Sequence, residues 1–509
     1  MSNDPKLRVL VVGASIAGPA AAYWLAKAGA RVTVIERFPQ LRTNGQNVDI
    51  RGVGVTVMRK MPGMEAAVRA KRPPIHGLSF VDARGRAFAT IKPTGNPDQQ
   101  SLVSEYEILR GDLSQILFDL TKANDNITYV FGEQIASIEQ PAPDTTSGPV
   151  TVTFANGRLP PSPFDLIVAC DGSTSRTRAL AFGCSAREHM HPTNWWAAYF
   201  SLPTALLPAD AVAGSDPNLA RAYNAPGGRL VCIGPDADPR TTRATIIGVR
   251  PRSRNLPAEI LAFRAAAAQD HSSSTSSSPD PSSPPDSAIK SFITHHLTHP
   301  TRTPTWPRGV ITALLAALPA SPDFHATELS QVRPPRLWTS SSSHHAARVA
   351  LVGDAGYASG ASGAGASLAL AGAYVLAGEI CRALRLRRLH PRQQRRAARD
   401  SSGLGLGKVA DGESGVEEGV LGWDGTGALL DAALERYEAV MMPLVAEMRR
   451  TPGFVGAVLA PQSAWGLWLR NWALWAVCRT GVSEAVQRFA AGAFAKREEA
   501  ALPEYEWVE

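Results

Sequence analysis

The sequence predicts an α/β fold: a Rossmann-like dinucleotide-binding domain joined to an antiparallel β-sheet domain and followed by C-terminal helices. Three observations predict it. Residues 6–39 read as strand, glycine turn, helix, second strand and acid, the order of a nucleotide-binding βαβ unit. Two later stretches, 164–178 and 348–377, again run a buried apolar strand into a turn that carries a carboxylate. Between them, residues 184–338 alternate apolar and polar side chains, the period-two pattern of strands with one wet face.

Leu7, Val9, Leu10, Val11 and Val12 form a run apolar enough to be buried on both faces, hence a central strand of a parallel sheet. The turn Gly13-Ala14-Ser15-Ile16-Ala17-Gly18 follows, then small residues, Leu and Trp at helical spacing up to Gly29, where a helix would stop. The second strand, 31–35, ends at Glu36, 23 positions after Gly13. A glycine turn at a helix N-terminus offers free N–H groups and the positive end of the helix dipole, which together hold a pyrophosphate. A carboxylate at the end of the second strand accepts hydrogen bonds from a ribose. Ser15 stands where the fingerprint has its middle glycine, and its small side chain still lets backbone approach a phosphate. Gly13, Ser15, Ala17, Gly18, Glu36 and the adjoining Arg37 are the first candidate binding residues. An ordinary βαβ unit with a glycine-rich turn would share this pattern.

The polar, glycine-punctuated segment 37–54, with Arg42 and Asp49, leaves the carboxyl end of the second strand, where parallel sheets contact ligands. Residues 55–70 read as one helix and 77–89, turning at Asp82-Ala83-Arg84-Gly85, as a hairpin. Residues 107–113 open a helix that runs to 121 and includes Arg110. Strands follow at 127–131, 135–139 and 150–154; then 164–170 delivers Asp171-Gly172, small hydroxyl residues, Arg176 and Arg178, a crevice with anion-binding donors. The alternating region would cap the first sheet. Inside it, 270–287 is almost all Ser, Pro and Asp, too polar to order itself. A third strand ends in Gly353-Asp354, followed by Gly360, Gly363, Gly365 and a small-residue helix over 367–386. Residues 387–425 read as disordered, 428–450 as an amphipathic helix, and 454–477 as a helix with Trp465, Trp468, Trp472 and Trp475 on one face. The expected division is 1–183, with 72–104 joining the second sheet; 184–340; 341–386; the insert 387–425; and 426–509.

A chain of 509 residues suffices for more than one domain. The excess of 52 Lys+Arg over 45 Asp+Glu is concentrated in 385–399, a solvated basic loop, which argues against a nucleic-acid partner. Cys170, Cys184, Cys232, Cys381 and Cys478 show no CxxC or metal spacing, so neither a disulfide framework nor a metal site is expected, and a reducing, cytoplasmic setting is. The first strand begins almost at the N-terminus, leaving no room for a signal peptide. Pro461, Gln462, Arg470 and Asn471 interrupt the Trp-bearing stretch, so it does not read as a membrane span. Its Trp face is expected to be a packing face or, alternatively, a peripheral membrane contact.

The elements Gly13-Ala14-Ser15-Ile16-Ala17-Gly18, Asp171-Gly172 and Gly353-Asp354 begin about 158 and 182 residues apart. In that order they resemble the three signatures of the single-component FAD-dependent aromatic hydroxylases of the p-hydroxybenzoate hydroxylase type, and the chain looks closest to the tetracycline-inactivating monooxygenase branch. The resemblance covers residue 7 to about 385 and continues in Ala433-Leu434-Glu435-Arg436-Tyr437-Glu438. It implies an FAD-binding domain with a substrate domain built on the antiparallel sheet. In similar enzymes the acid at Glu36 holds the adenosine ribose, the arginine at Arg110 contacts FAD, and the aspartate at Asp354, among Gly353, Gly363 and Gly365, binds the ribityl or pyrophosphate region. In the tetracycline-inactivating branch Arg42 matches an arginine near the nicotinamide nucleotide, and Asp49 an aspartate at the flavin. Asp171 and Gly172 are implicated in both FAD and NAD(P)H contact. Plainer readings make Arg110 a helix-surface charge and Asp49 a loop cap. The chain departs from the pattern at one loop: many relatives carry a proline shortly after the Gly-Asp pair, stiffening the loop under the isoalloxazine ring, whereas Ala355-Gly356-Tyr357-Ala358-Ser359-Gly360-Ala361-Ser362 has none.

The activity the resemblance implies is a monooxygenase. NADPH or NADH reduces FAD, O2 adds to give a flavin hydroperoxide, and its distal oxygen hydroxylates or epoxidises an aromatic or polyketide-like small molecule. That chemistry needs a dry pocket. Trp195, Trp196, Tyr199 and Phe200 share a strand that could line it, with Trp195 and Tyr199 the candidate substrate contacts; alternate members would be plain core. No catalytic base is identified, since His189 and His191 read as surface histidines. A halogenase on the same fold would carry a Trp-x-Trp-x-Ile-Pro run and a catalytic lysine, which Asn194-Trp195-Trp196 does not match. A dehydrogenase or reductase on this fold, or a flavin-binding protein without turnover, would also carry the three motifs. Ser/Pro inserts in such an enzyme suit fungal specialised (secondary) metabolism.

Overall fold

The computed structural model of the chain describes residues 6–508 except 43–44, 97–102, 140–147, 213–215, 252, 254, 274–286, 300–305, 340–347, 403–422, 451–453 and 481–501. The chain begins β1 Arg8–Val12, α1 Ala17–Lys27, β2 Arg31–Glu36, β3 Asn47–Asp49, α2 Val53–Arg59, α3 Met64–Ala70, β4 Gly77–Val81, β5 Ala87–Ile91 and β6 Glu107–Leu109. It continues α4 Arg110–Asp119, β7 Ile127–Phe131, β8 Ile135–Glu139, β9 Val150–Phe154, β10 Ser162–Phe164, β11 Leu166–Ala169, α5 Arg176–Phe182, β12 Met190–Pro203 and α6 Ala209–Val212. Then come β13 Leu219–Ala225, β14 Arg229–Pro235, β15 Thr241–Val249, α7 Ala258–Ser273, α8 Ala288–Thr298, α9 Arg308–Ala317, β16 His325–Val332 and β17 Trp338–Thr339. The last elements are β18 Val349–Leu351, α10 Asp354–Tyr357, α11 Gly365–Ser402, α12 Trp423–Met448, α13 Phe454–Leu459 and α14 Ala464–Arg479.

The first sheet has strand order β17-β18-β11-β1-β2-β7. All its pairings are parallel except the edge strand β17. Val9 and Val11 pack into a core shared with α1, α11 and α12, while Leu10 and Val12 face the small sheet β10-β9-β8, which is why β1 is apolar at nearly every position. Parallel strands point one way, so the turns after β1, β11 and β18 emerge side by side at one carboxyl edge. That topology brings together three motifs separated by hundreds of residues.

The second sheet runs β16-β12-β15-β14-β13-β4-β5; β13 pairs parallel with β4, and the other pairings are antiparallel. One face is buried under α7, α8 and α9 around Trp196, Phe200 and Ile246. The other face meets the first half of the molecule and α13–α14. The ribbon β3–β6 lies at that junction.

Several sequence expectations change. Residues 55–70 form two helices, because Pro62 and a left-handed Gly63 (φ +81°) interrupt them. Residues 107–109 are a strand, paired with 47–49, and the helix starts only at Arg110. Helix α11 extends to Ser402, through residues read as disordered, and α12 begins at Trp423. The rest of that insert, and 274–286 of the Ser/Pro insert, lie outside the described residues. Residues 270–273 complete α7, and Asp270 accepts from the backbone N–H of Ala288 at 2.7 Å, clasping the insert's two ends. The Trp-bearing stretch splits into α13 and α14 around Pro461. Residues 502–508 are a non-helical strap rather than part of a helical region: Trp507 packs tilted against Trp24 at 4.7 Å and Tyr505 against Tyr374 at 5.2 Å. Among the described residues, the one helix long and apolar enough to cross a membrane is 365–386, and 89% of its apolar window is buried inside the protein, the behaviour of a core helix.

Candidate active site

Gly13 has φ +104°, and a Cβ there would sit 2.6 Å from the carbonyl oxygen of Cys170, the residue just after the neighbouring strand β11. A Cβ on Gly18 would lie 1.8 Å from the Gly13 carbonyl. Both glycines are therefore fixed by close backbone approach, one against β11 and one against the turn beneath α1. Ser15 occupies the middle position without strain, its Oγ 3.2 Å from Ser114 Oγ. No side chain caps the N-terminus of α1. Glu36 accepts from the N–H of Ala14 at 2.9 Å and of Phe38 at 3.1 Å, so the acid is held beside the turn. Arg37 and Arg42 both lie 4.8 Å from the ring of Phe38.

These residues line an open cleft of about 140 Å³, with Gly13, Ser15, Glu36, Arg37, Arg42, Arg110, Asp171 and Gly172 in its wall. Arg110 connects its two ends electrostatically: burial lowers its pKa, while Asp354 and Glu36 both raise it. Asp354 is open to solvent yet walled by protein, as befits a side chain projecting into an internal chamber; burial raises its pKa and Arg110 opposes the rise. Gly353, at φ +66°, leaves room for Ala17, whose Cβ would be 2.9 Å away, so the first and third motifs interlock. Gly365 and Gly363 open space beside Asp354 and Asp49; added Cβ atoms would stand 3.6 and 3.9 Å from those carboxylates. Asp49 is itself paired with Arg51 at 3.0 Å.

The second motif differs from its sequence reading. Asp171 accepts from Thr177 N–H and Thr177 Oγ1, both at 3.0 Å, and from Ser175 Oγ, so its carboxylate caps α5. Arg178 is not an anion donor. Fully buried, it donates to the carbonyls of Ala355 at 2.6 Å, Ser173 at 2.8 Å and Ala186 at 2.6 Å, and so ties the second motif to the third. Arg176 stays in the cleft wall, donating to Gln134 Oε1 at 3.0 Å.

The loop that lacks the family's proline is held otherwise. Val332 N–H donates to Ala358 O at 3.1 Å, Ser359 bridges Gln331, and a Cβ on Gly360 would touch Thr193 at 2.8 Å. From behind, Tyr437 Oη donates to Leu351 O at 2.7 Å and lies 3.2 Å from Tyr357 Oη. The 433–438 motif thus serves as a buttress: Arg436 pairs with Glu379 at 2.8 Å, and Glu438 accepts from Leu337 N–H at 2.7 Å.

Facing the first sheet is a row of cross-strand neighbours on the second: His325, Tyr199, Thr245 and Cys232 are mutual register partners. His325 is pushed down to about 4 by burial and by Arg42 and Arg110. Burial pushes Tyr199 up to about 12 and Cys232 up to about 12, the latter helped by Glu107. Glu107, directly across β3–β6 from Asp49, accepts from Asn47 Nδ2 at 2.6 Å and is pushed up to about 7 by burial and then by Asp49. These polar groups thus form one cluster between the sheets. Tyr199 belongs to it; Trp195 shares that face but packs beneath α13, with Gly456 closing over its ring. Trp196 and Phe200 are core on the opposite face. Sequence reasoning missed Glu107, His325 and Cys232, since no motif marks them; only strand register aligns them.

The FAD binding domain family matches residues 6–278. The chain belongs to the FAD-dependent monooxygenases. This monooxygenase is 31% identical over 382 residues to "FAD-dependent monooxygenase asL4" of Sarocladium schorii, covering 74% of this chain and 76% of that one. It is 33% identical over 383 residues to "Flavin-dependent monooxygenase eupH" of a Phoma species, covering 74% and 77%. Its fold matches the crystal structure of tetracycline destructase Tet(51) with a TM-score of 0.62, 22% identity, and coverage of 98% and 100%. The residues fit FAD: a turn whose two end glycines lack a Cβ, at an uncapped helix N-terminus, a ribose-ready carboxylate, and an arginine coupled electrostatically to Asp354.

Proposed function

We propose that this FAD-dependent monooxygenase uses NADPH or NADH and O2 to hydroxylate or epoxidise an aromatic or polyketide-like small molecule in the chamber between the two sheets. FAD, when bound, accepts hydride from the nicotinamide and activates O2 for transfer of one oxygen atom to an electron-rich carbon. Glu36 and the 13–18 turn would hold the adenosine ribose and pyrophosphate, Arg110 and Asp354 the middle of the cofactor, and Asp49 the flavin end. Arg42 and the Asp171-Gly172 turn, on the cleft wall, would meet the nicotinamide nucleotide.

The chain's own groups prepare the chamber. Tyr199 stays protonated at Oη at physiological pH and offers a donor to a substrate oxygen. His325 stays neutral, adding no charge beside Arg42 and Arg110. Glu107, pushed up to about 7, holds or releases a proton at its carboxyl oxygen near neutral pH, the property wanted of a group that manages a phenol or enol proton. The observation that carries this reading is the row His325-Tyr199-Thr245-Cys232 turned toward Arg42, Arg110 and Glu107. The reading extends to peripheral membrane contact through α14, beside which a lipophilic substrate would reach the chamber.

The test is anaerobic reduction of the FAD-loaded protein by NADPH and by NADH, against a panel of phenolic, polyketide and indole compounds. One class should accelerate bleaching of the flavin, and admitting air should yield product containing one atom from O2. Reduction with no oxygen incorporation would favour a reductase, and a yellow protein that is never reduced would favour a non-catalytic flavin carrier.

A further inference from the structure

Helix α14 is amphipathic in the wrong sense for a water-soluble surface. Its inward face carries the mid-helix charge: Arg470 is buried, donates to Asn224 Oδ1 at 2.6 Å and lies 4.9 Å from the ring of Phe80. Its outward face is apolar from end to end: Trp465, Trp468, Trp472 and Trp475 are 69%, 60%, 55% and 43% exposed, with Leu469 at 41%. Ala464 and Ala473 fill the gaps in that face, and Val458 of α13 extends it. The first polar residue met on it is Arg479, whose guanidinium lies 5.8 Å from the Trp475 ring at the helix end. The apolar packing face expected from the sequence exists, but nothing among the described residues covers it.

We infer that the outer face of α14 docks on a lipid surface bearing anionic headgroups. A protein partner would need hydrogen bonds, roughly one per 100–200 Å² of interface, and a polar rim. The face between Trp465 and Trp475 offers only indole N–H groups and hydrocarbon. Indoles in that setting match the headgroup boundary, where the ring is dry and the N–H wet. Charge agrees as well: Arg479 ends the face, and exposed Lys92 follows the adjoining strand β5. The helix also lies over the sheet face that forms the chamber, α13 closing over Trp195, so docking would bring the chamber beside the lipid.

The experiment is flotation of FAD-loaded full-length protein with vesicles of phosphatidylcholine alone and of phosphatidylcholine with about 20% phosphatidylserine. Bromine-labelled acyl chains report Trp depth. Wild-type protein should float with the anionic vesicles and lose Trp fluorescence to the bromines. The double variant Trp468→Ser/Trp472→Ser, which touches only the exposed face and adds no charge, should bind roughly tenfold or more weakly at unchanged FAD content and thermal stability. Failure of the wild type to float overturns the inference, as does undiminished flotation of the variant. A dimer in solution that the double variant dissolves would overturn it too, assigning the face to a second copy. Protection of the four indoles from acrylamide in vesicle-free monomer, lost on removing 481–500, would overturn it in favour of that segment. Flotation needs no turnover, so its outcome is independent of the substrate assignment.

Discussion

Glu107 shows how one enclosed side chain can set a pH dependence. Its carboxyl is pushed up to about 7, from an ordinary value near 4.5, by burial and by Asp49 across the β3–β6 ribbon. Between those two values the folded protein keeps a proton that the unfolded chain has lost, so stability falls as pH rises through that window, and the penalty is complete above about 7. Glu107→Gln removes the titration and keeps an acceptor for Asn47. It should raise holoenzyme stability at pH 8 by about 1–3 kcal/mol and leave it nearly unchanged at about pH 4.5, as read from thermal melts across pH. His325 acts oppositely, its depressed pKa costing stability as pH falls from 6.5 toward about 4, and comparing variant with wild type at each pH cancels that contribution. If Glu107 also manages a substrate proton, the acidic limb of the kcat profile should disappear in the same variant.

At the scale of elements, the three turns act as one body. Gly353 accommodates Ala17, and Arg178 binds carbonyls on both the second and third motifs. Arg178→Met keeps the volume but leaves one buried and two part-buried carbonyls without their donor; it should cost about 2–5 kcal/mol and weaken FAD retention, measured by chemical unfolding and by flavin release on dilution. Arg178→Lys should recover only part, because one ammonium cannot reproduce the guanidinium's fork. The proline-free loop after Asp354 follows the same logic: its rigidity comes from Gln331, Val332 and the Tyr357–Tyr437 contact instead of from a ring in its own backbone.

For the whole molecule, the C-terminal strap closes the cofactor half from outside. Trp507 and Tyr505 pack against Trp24 and Tyr374, Tyr505 Oη donates to Glu379 at 2.9 Å, and Lys60 pairs with Glu504 at 2.7 Å. A Cβ on Gly378 would stand 2.2 Å from the Tyr505 ring, so α11 keeps a glycine where the strap crosses. Ending the chain after Ala500 should destabilise the holoenzyme by about 3–5 kcal/mol, the cost of vacating a large aromatic site, and speed FAD loss in a thermal-shift and flavin-fluorescence assay.

What the sequence by itself determined is local. The run Leu7–Val12 specifies a doubly buried strand, Gly13 and Gly18 a turn that only glycine fits, and Glu36, Asp171 and Asp354 the ends of three strands, because strand burial and glycine stereochemistry act over a few residues. Register and docking decided the rest. That Asp171 caps α5 from the cleft wall, that Arg178 donates to carbonyls, and which of Trp195, Trp196 and Tyr199 turns toward the first sheet depend on groups that approach from other parts of the chain. The Trp stripe of α14 is the sharpest case: its period fixed a face, but only its seating on β5 and β13, with Arg470 turned inward, put that face in water.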